Sequence, residues 1–227
     1  MVTGVVTAIA PARRPAGRFD VQVDGAPFAT LSLDAIERLG LAVGRPIAGL
    51  EERIAGEADA LRVYDRAVLM LAARARSSVE LGRLLVKKGE DKALAARAVA
   101  RLVEQGLLDD AAFARSFTRA RVLGGKQSRR RVQLELARKG VPRETTDAAI
   151  AAVFEEEQVD QSAIVEEAAR KKLRSLLKLE PAVRRRRLYG FLARRGYDSE
   201  DIRRALASIG EGMKAGDGDA GDEDTAG

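Results

Sequence analysis

The chain has 227 residues, a formal net charge of +6, no cysteine and no histidine. Disulfides, cysteine nucleophiles, histidine general bases and the usual zinc ligands are therefore excluded. Residues 211–227 carry six acids against one lysine, a net charge of −5, which leaves +11 on residues 1–210.

Residues 1–50 are predicted to form a small β-rich N-terminal module. Strands are expected at 2–9, 19–23 and 28–31, and Asp24-Gly25 is the turn signal of a hairpin. Asp34 is then expected to cap a short helix that ends at Gly40. Three short strands are marginally stable alone, so we expect the module to pack against the first helical repeat.

One five-residue pattern occurs three times in the rest of the chain: leucine, a small or apolar residue, two cations and glycine. The copies lie at 85–89, 136–140 and 192–196, and their glycines are 51 and then 56 residues apart. Each copy fits the end of a helix with a glycine C-cap, and a second amphipathic helix follows it. This period predicts a helical array in which neighbouring units complete one another's core.

The predicted fold class is mainly α, with three tandem three-helix repeats in an elongated curved array after the β-rich module. A linker helix and repeat 1 occupy 51–108, repeat 2 occupies 109–157 and repeat 3 occupies 158–210. In repeat 1 a helix is expected at 65–74, and Ser77 with Glu80 forms a capping box for the next. Later helices are expected at 91–106, 109–123, 128–139, 142–155, 160–177, 181–195 and 198–209. The acidic tail 211–227 is expected to be disordered.

Repeat 2 has the densest group of cations, with Glu135 as the only acid between 115 and 139. Three arginines begin a helix there, where cations oppose the helix dipole, and this placement indicates an anionic partner. An ordinary solvated face of a basic protein is the alternative, and it stays open. The candidate partner- and DNA-binding residues, two of them in repeat 3, are Arg115, Arg119, Arg121, Lys126, Arg129, Arg130, Arg131, Arg138, Lys139, Arg194 and Arg195.

Repeat 3 has a run of four arginines at 184–187, and some cations of this repeat are expected to pair with the acidic stretch at 155–167. Phe113 and Phe117 could stack on bases, but a helix core stripe is the favoured interpretation. No catalytic constellation or phosphate-binding loop emerges, so neither enzymatic activity nor a cofactor is expected. No apolar run reaches the length of a membrane span, and a cytosolic protein is expected.

Four groups of motifs lie in register between about residues 60 and 209. They are Gly106-Leu107-Leu108-Asp109-Asp110 with Phe113-Ala114 and Phe117; Arg76-Ser77 with Glu80-Leu81; Arg130-Arg131-Val132 with Glu135-Leu136 and Lys139-Gly140; and residues 191–197. Together they resemble the RecX family, bacterial regulators of the RecA recombinase. The N-terminal module resembles an extension of some members, whereas Gly82 and the acidic tail depart from the family pattern.

The resemblance implies a non-enzymatic protein that binds the RecA–DNA filament and mainly inhibits its ATPase, strand-exchange and coprotease activities in recombination and the SOS response. The implied partners are the RecA filament and, weakly, single- and double-stranded DNA. A cytoplasmic monomer without membrane contact is expected. A general DNA-binding helical repeat protein that acts without the recombinase is the alternative. Groove binding and capping of filament ends both stay open.

Overall fold

The computed structural model describes residues 4–13 and 15–217, with side chains described as far as 209. Within these residues three strands precede ten helices, and a single π-helical turn, Ala120–Gly124, lies between α5 and α6. The strands are β1 (Val6–Pro11), β2 (Arg18–Val23) and β3 (Ala26–Ser32). The helices are α1 (Leu33–Leu39), α2 (Glu51–Ala73), α3 (Ser78–Lys87), α4 (Lys92–Glu104), α5 (Asp110–Arg119), α6 (Arg129–Arg138), α7 (Arg143–Glu156), α8 (Gln161–Arg174), α9 (Pro181–Arg194) and α10 (Ser199–Asp217). Two compact units divide the chain, Met1–Asp109 and Asp110–Gly227.

The three strands form an antiparallel sheet in the order β1-β2-β3. Asp24 and Gly25 have φ values of 51° and 80°, the left-handed pair that a two-residue type I′ turn requires. The predicted hairpin is therefore confirmed. β1 begins at Val6 and extends to Pro11, because its register with β2 continues to the pair formed with Phe19. Residues 2 and 3 of the predicted strand lie outside the described residues.

Helix α1 begins two residues earlier than the sequence suggested. The Ser32 hydroxyl accepts a hydrogen bond from the Ala35 amide at 3.3 Å, so Ser32 is the N-cap and the prediction of Asp34 was wrong. Asp34 lies in the first helical turn, where its negative charge interacts favourably with the positive end of the helix dipole. The helix ends at Gly40 with φ of 61°, as predicted.

Helix α2 is continuous over 23 residues, whereas a linker helix and a separate helix at 65–74 were expected. Neither proline nor a cap interrupts the segment, and its two halves bury side chains in different cores. Ile54 joins the core of the sheet and α1, and Ala67 joins the core of repeat 1. Arg18 of β2 donates from Nε to Asp65 of α2 at 3.1 Å, and this bond is the main cause that raises the pKa of Arg18. The module therefore packs on the first repeat helix, as expected.

Repeat 1 follows the predicted caps closely. The Ser77 hydroxyl accepts from the Glu80 amide at 3.1 Å, and Gly89 ends its helix with φ of 91°. The following residue, Glu90, has a side chain only 4% exposed, and it is held between Arg62 and Arg66 of α2. A buried carboxylate requires such partners, because an unpaired charge in the core is very costly. The ion pairs thus fix the end of α3 against α2.

Helices α5–α10 share one continuous core that extends from Ala114 to Ile209. α5 and α6 both pack on α7, and α8, α9 and α10 pack on one another. Gly140 and Gly196 have φ values of 80° and 86°, so all three repeated glycines occupy the left-handed cap that the pattern predicted. The mainly α fold with three-helix units after a small sheet is confirmed.

Helix α10 continues to Asp217, although its predicted end was Ile209. The expectation of disorder was therefore wrong for residues 211–217. Glu211, Met213, Lys214 and Ala215 favour this continuation, whereas the glycines at 210, 212 and 216 oppose it. The rest of the predicted tail, residues 218–227, lies outside the described residues.

Candidate functional site

Arg119, at the end of α5, is held by two carboxylates at the end of α7. Its Nε lies 2.6 Å from Glu157 Oε1, and its Nη2 lies 2.9 Å from Glu156 Oε2. The hydrogen bond to Glu157 is the main cause that raises the pKa of Arg119. This predicted partner-binding residue therefore connects two helices of its own repeat.

Glu135, the single acid of the cationic stretch, is shared by two arginines. Arg121 Nε lies 3.1 Å from one carboxylate oxygen, and Arg131 Nε lies 2.8 Å from the other. The Glu135 side chain is 16% exposed, so the three groups form a compact charge cluster beside the π-helical turn. Arg121 and Arg131 therefore have internal partners.

Phe113 and Phe117 form a tilted pair whose ring centroids are 5.9 Å apart. Both rings are half-buried against the core of α5–α10. Lys139 Nζ lies 5.8 Å and 5.6 Å from their centroids, and the Arg121 guanidinium lies 4.8 Å from that of Phe117. The two rings pack against the core and are faced by cations of the same unit, so the core interpretation is confirmed.

The loop that follows the π-helical turn docks on the end of α9. The Ser128 hydroxyl donates to the Gly196 carbonyl at 2.7 Å, and the Tyr197 hydroxyl donates to the Lys126 carbonyl at 3.0 Å. Arg195 donates to the carbonyls of Gly125 and Lys126. Residues 125–128 and 195–197 are called the inter-repeat junction below. The cation of Arg195 is thus part of the scaffold.

Lys126 also contributes to the inter-repeat junction through its side chain. Its Nζ lies 2.8 Å from Glu167 Oε2 of α8, and its backbone is left-handed with φ of 49°. The ion pair connects repeat 2 to repeat 3. Lys126 and Arg195 were predicted to bind a partner, and the structure gives each of them an internal contact.

We expect Tyr197 to make folding stability decline above pH 10. Burial raises the pKa of Tyr197 to about 12, whereas an unfolded tyrosine titrates near 10. The unfolded state thus loses its proton first, so the stabilising effect is complete below pH 10 and is lost as pH rises towards 12. The difference corresponds to at most roughly 3 kcal/mol.

Urea unfolding of the protein and of Tyr197→Phe, measured from pH 7 to 12, checks this expectation. The variant is less stable at pH 7, because the hydrogen bond to Lys126 is lost, but its stability declines less between pH 10 and 12. Parallel declines in the two proteins would contradict the assignment to Tyr197.

Three of the predicted residues are exposed and have no ion pair, hydrogen bond or ring contact within the described part of the chain. They are Arg115 of α5, Arg130 of α6 and Arg194 of α9. Arg129 lies over the Phe154 ring at 3.9 Å, and Arg138 lies in the last turn of α6, where cations favour the dipole. The surface available to an anion is therefore smaller than the sequence suggested.

An open cleft of about 370 Å³ lies between α6 and α7. Leu134 is 49% exposed there, and Arg130 and Arg143 are among the lining residues. The Thr146 hydroxyl, also in the lining, is buried without a hydrogen-bond partner in the described residues. The cleft was not predicted. Its signal in the sequence is Leu134, which is apolar but lies between the positions of Val132 and Leu136 that form the core stripe.

The arginine run of α9 does not pair with the acidic stretch that precedes it. Arg170 pairs with Glu166 inside α8, and Glu156, Glu157 and Glu167 pair with cations of repeat 2. Among the described residues, no ion pair involves positions 184–187. The expected pairing in repeat 3 is therefore confirmed for Arg170 and absent for the run at 184–187. The packing of α5–α10 brings Glu156, Glu157 and Glu167 to the cations of repeat 2 instead.

None of the helices in the described ranges is long and apolar enough to cross a membrane. Over the same ranges, no group of three or more acidic side chains could hold a metal ion.

Two family models match the second unit of the chain. The RecX second three-helix domain matches residues 109–150, and the RecX third three-helix domain matches residues 160–206. These ranges correspond to α5–α7 and α8–α10. They include nearly all of the exposed cations described above.

Curated relatives and solved structures agree with these matches. The regulatory protein RecX of Chlorobaculum tepidum is 37% identical over 145 residues, which cover 64% of this chain and 86% of that protein. The regulatory protein RecX of Mycobacterium sp. (strain JLS) is 39% identical, over 56% of this chain and 70% of that protein. A crystal structure of a regulatory protein RecX has a TM-score of 0.73 at 18% identity and covers 90% of this chain and 99% of its own. The crystal structure of RecX from Lactobacillus salivarius has a TM-score of 0.54 at 16% identity, over 66% of this chain and 96% of its own.

Proposed function

The chain belongs to the RecX family of regulatory proteins, and we propose that it binds the RecA–DNA filament and restrains its ATPase, strand-exchange and coprotease activities. In this proposal the protein acts in the cytoplasm as a monomer, by binding to the filament and without catalysis. The observation that carries the proposal is the match to both RecX repeat models over residues 109–150 and 160–206.

The surface of repeat 2 favours a partner that contains both protein side chains and phosphate groups. Arg115 and Arg130 are exposed and unpaired in the described part of the chain, which suits charge-assisted bonds to phosphate or carboxylate groups. The cleft beside Arg130 offers apolar surface through Leu134 and Ala137, which suits a side chain of a protein partner. A filament of protein and DNA supplies both kinds of group, whereas bare DNA supplies only the first.

The proposed function is tested by the DNA-dependent ATPase of the cognate RecA. We expect the rate to fall when the protein is added at substoichiometric or near-equal ratios, because a bound regulator acts on many filament subunits. The same protein boiled and clarified is the control for buffer effects. An unchanged ATPase rate at saturating protein would rule out the proposed function.

The unpaired arginines of α9 favour a second candidate function, binding of DNA without the recombinase. The two candidates differ in salt dependence, because binding to bare DNA is governed by the release of counterions. Between 50 and 200 mM salt, affinity for bare DNA is expected to fall about a thousand-fold if six phosphates are contacted. Co-sedimentation with the filament should show a shallower decline, since protein contacts supply part of the energy. Equal slopes for the two ligands would favour the second candidate.

A further inference from the structure

We propose that the outer face of α9, formed by Arg185, Arg186 and Tyr189, is a binding site for single-stranded nucleic acid. In this site one base stacks on the Tyr189 ring while the two guanidinium groups contact the adjacent phosphates. The proposal extends the proposed function to a particular ligand and location. Its test contains no recombinase, so failure of the site and failure of the proposed function are distinguishable.

The position of Tyr189 on α9 places its ring away from the core. Leu188 and Leu192 are 2% and 0% exposed and define the inner side of the helix. Tyr189 follows Leu188 by about 100° of helical rotation and is 40% exposed. Arg185 and Arg186 precede Tyr189 by four and three residues, so they lie beside it on the same face.

The neighbours of Tyr189 on that face leave the ring accessible. Ala182 and Ala193, seven residues before and four residues after, are exposed and carry only a methyl group. Gly190, the next residue, has no side chain. Within the described residues Tyr189 has no ring contact, and its hydroxyl has no hydrogen bond. A planar ligand can therefore lie against the ring without displacing a protein side chain.

Most other aromatic side chains of the described chain are covered, and Phe19 packs against the core of the sheet. Cations lie over the rings of Tyr64, Phe113, Phe117, Phe154 and Phe191, and Tyr197 is 5% exposed. Phe28 of β3 is 41% exposed, but its surroundings include Asp20 and no cation. Tyr189 thus combines an exposed ring with adjacent arginines.

The charge around Tyr189 selects an anionic ligand. Arg185 and Arg186 are exposed, and no ion pair within the described ranges involves them. An aromatic ring beside unpaired cations is the arrangement that binds single strands with little sequence preference, since every base has a face and every nucleotide a phosphate. A duplex presents its phosphates but keeps its bases stacked on one another. The ring therefore contributes to single-strand binding alone.

Fluorescence anisotropy of a labelled oligothymidine of twenty nucleotides, at low salt, measures the affinity of the full chain for a single strand. Tyr189→Ala is expected to weaken binding roughly tenfold, and Tyr189→Phe, which keeps the ring, is expected to stay within about twofold of the unmodified protein. Arg185→Gln combined with Arg186→Gln should lower the salt slope by about 1.4, the value for two phosphates of a single strand. Phe28→Ala is the matched control and should bind normally.

Two further readouts make the test decisive. The protein has three tyrosines and no tryptophan, so quenching of tyrosine fluorescence by an unlabelled single strand reports stacking directly. Quenching is expected in the unmodified protein and should be largely lost in Tyr189→Phe. A duplex of the same length should bind Tyr189→Ala as well as it binds the unmodified protein. Normal single-strand affinity of Tyr189→Ala, unchanged quenching in Tyr189→Phe, or equal losses for single strand and duplex would each overturn the proposal.

Discussion

Replacing Gly196 by alanine is expected to lower the free energy of unfolding by about 3 kcal/mol, while Gly89→Ala lowers it by about 1 kcal/mol. Both glycines end helices in the left-handed region, with φ of 86° and 91°. A Cβ at Gly89 meets nothing within 4 Å, whereas one at Gly196 would lie 2.7 Å from Ser128 Oγ and 2.8 Å from Arg131 Cβ. The backbone strain is common to both positions, so the difference measures the close contact at the inter-repeat junction.

Urea unfolding followed by circular dichroism, on the full chain, measures both variants. The two compact units place Gly89 within residues 1–109 and Gly196 within residues 110–227, so the transitions are fitted with allowance for two steps. In a double-mutant cycle, Ser128→Ala should cost less free energy of unfolding in the Gly196→Ala background than in the unmodified protein, because there it also removes the nearest atom of the close contact. Equal destabilisation by the two glycine substitutions would contradict the role of the contact.

Reversing the charges of Arg115 and Arg130 together is expected to weaken filament binding by roughly thirty-fold or more. Each exposed guanidinium is proposed to make a charge-assisted bond to the filament, worth about 1 kcal/mol or more. The variant Arg115→Glu/Arg130→Glu should remain folded, because exposed substitutions change stability by less than about 0.5 kcal/mol each. Arg119 is left unchanged, since its reversal would place a third carboxylate beside Glu156 and Glu157.

The matched control is Arg13→Glu/Arg53→Glu in the first unit. Both arginines are exposed and, within the described residues, without an ion pair or hydrogen bond, so the two variants carry the same net charge. Co-sedimentation with the cognate RecA filament compares them at one salt concentration. If both bind equally well, or both lose affinity equally, the placement of the partner surface in repeat 2 is wrong.

Local signals in the sequence predicted the helix ends well. Each of these signals depends on a few adjacent residues, so it can be predicted without knowledge of the packing. They are the Ser77 cap, the Asp24-Gly25 turn and the repeated glycines. Ser32 replaced Asp34 as the cap of α1 because β3 ends at Ser32 and the helix begins directly after it. The continuity of α2 was missed because its two halves bury side chains in two different cores.

The sequence identified the cations of the candidate site but did not show which of them have partners inside the protein. Arg119 and its partner Glu157 are 38 residues apart, and Ser128 and Gly196 are 68 apart. Such pairs form only when helices from different parts of a unit meet, and a single sequence does not show which helices these are. Some cations of repeat 3 were expected to pair with the acidic stretch, and Arg170 does, whereas the arginine run of α9 is unpaired in the described chain. Several cations of repeat 2 that were expected to bind a partner have internal contacts instead.

The inter-repeat junction restricts the backbone at Gly124-Gly125. A pair of adjacent glycines after a helix commonly marks a hinge, since neither residue restricts the backbone. Here the carbonyls of Gly125 and Lys126 accept bonds from Arg195 and Tyr197, so rotation at this point would break contacts on both sides. The loop between α5 and α6 is therefore tied to the end of α9, and a displacement of this loop would also displace residues 195–197.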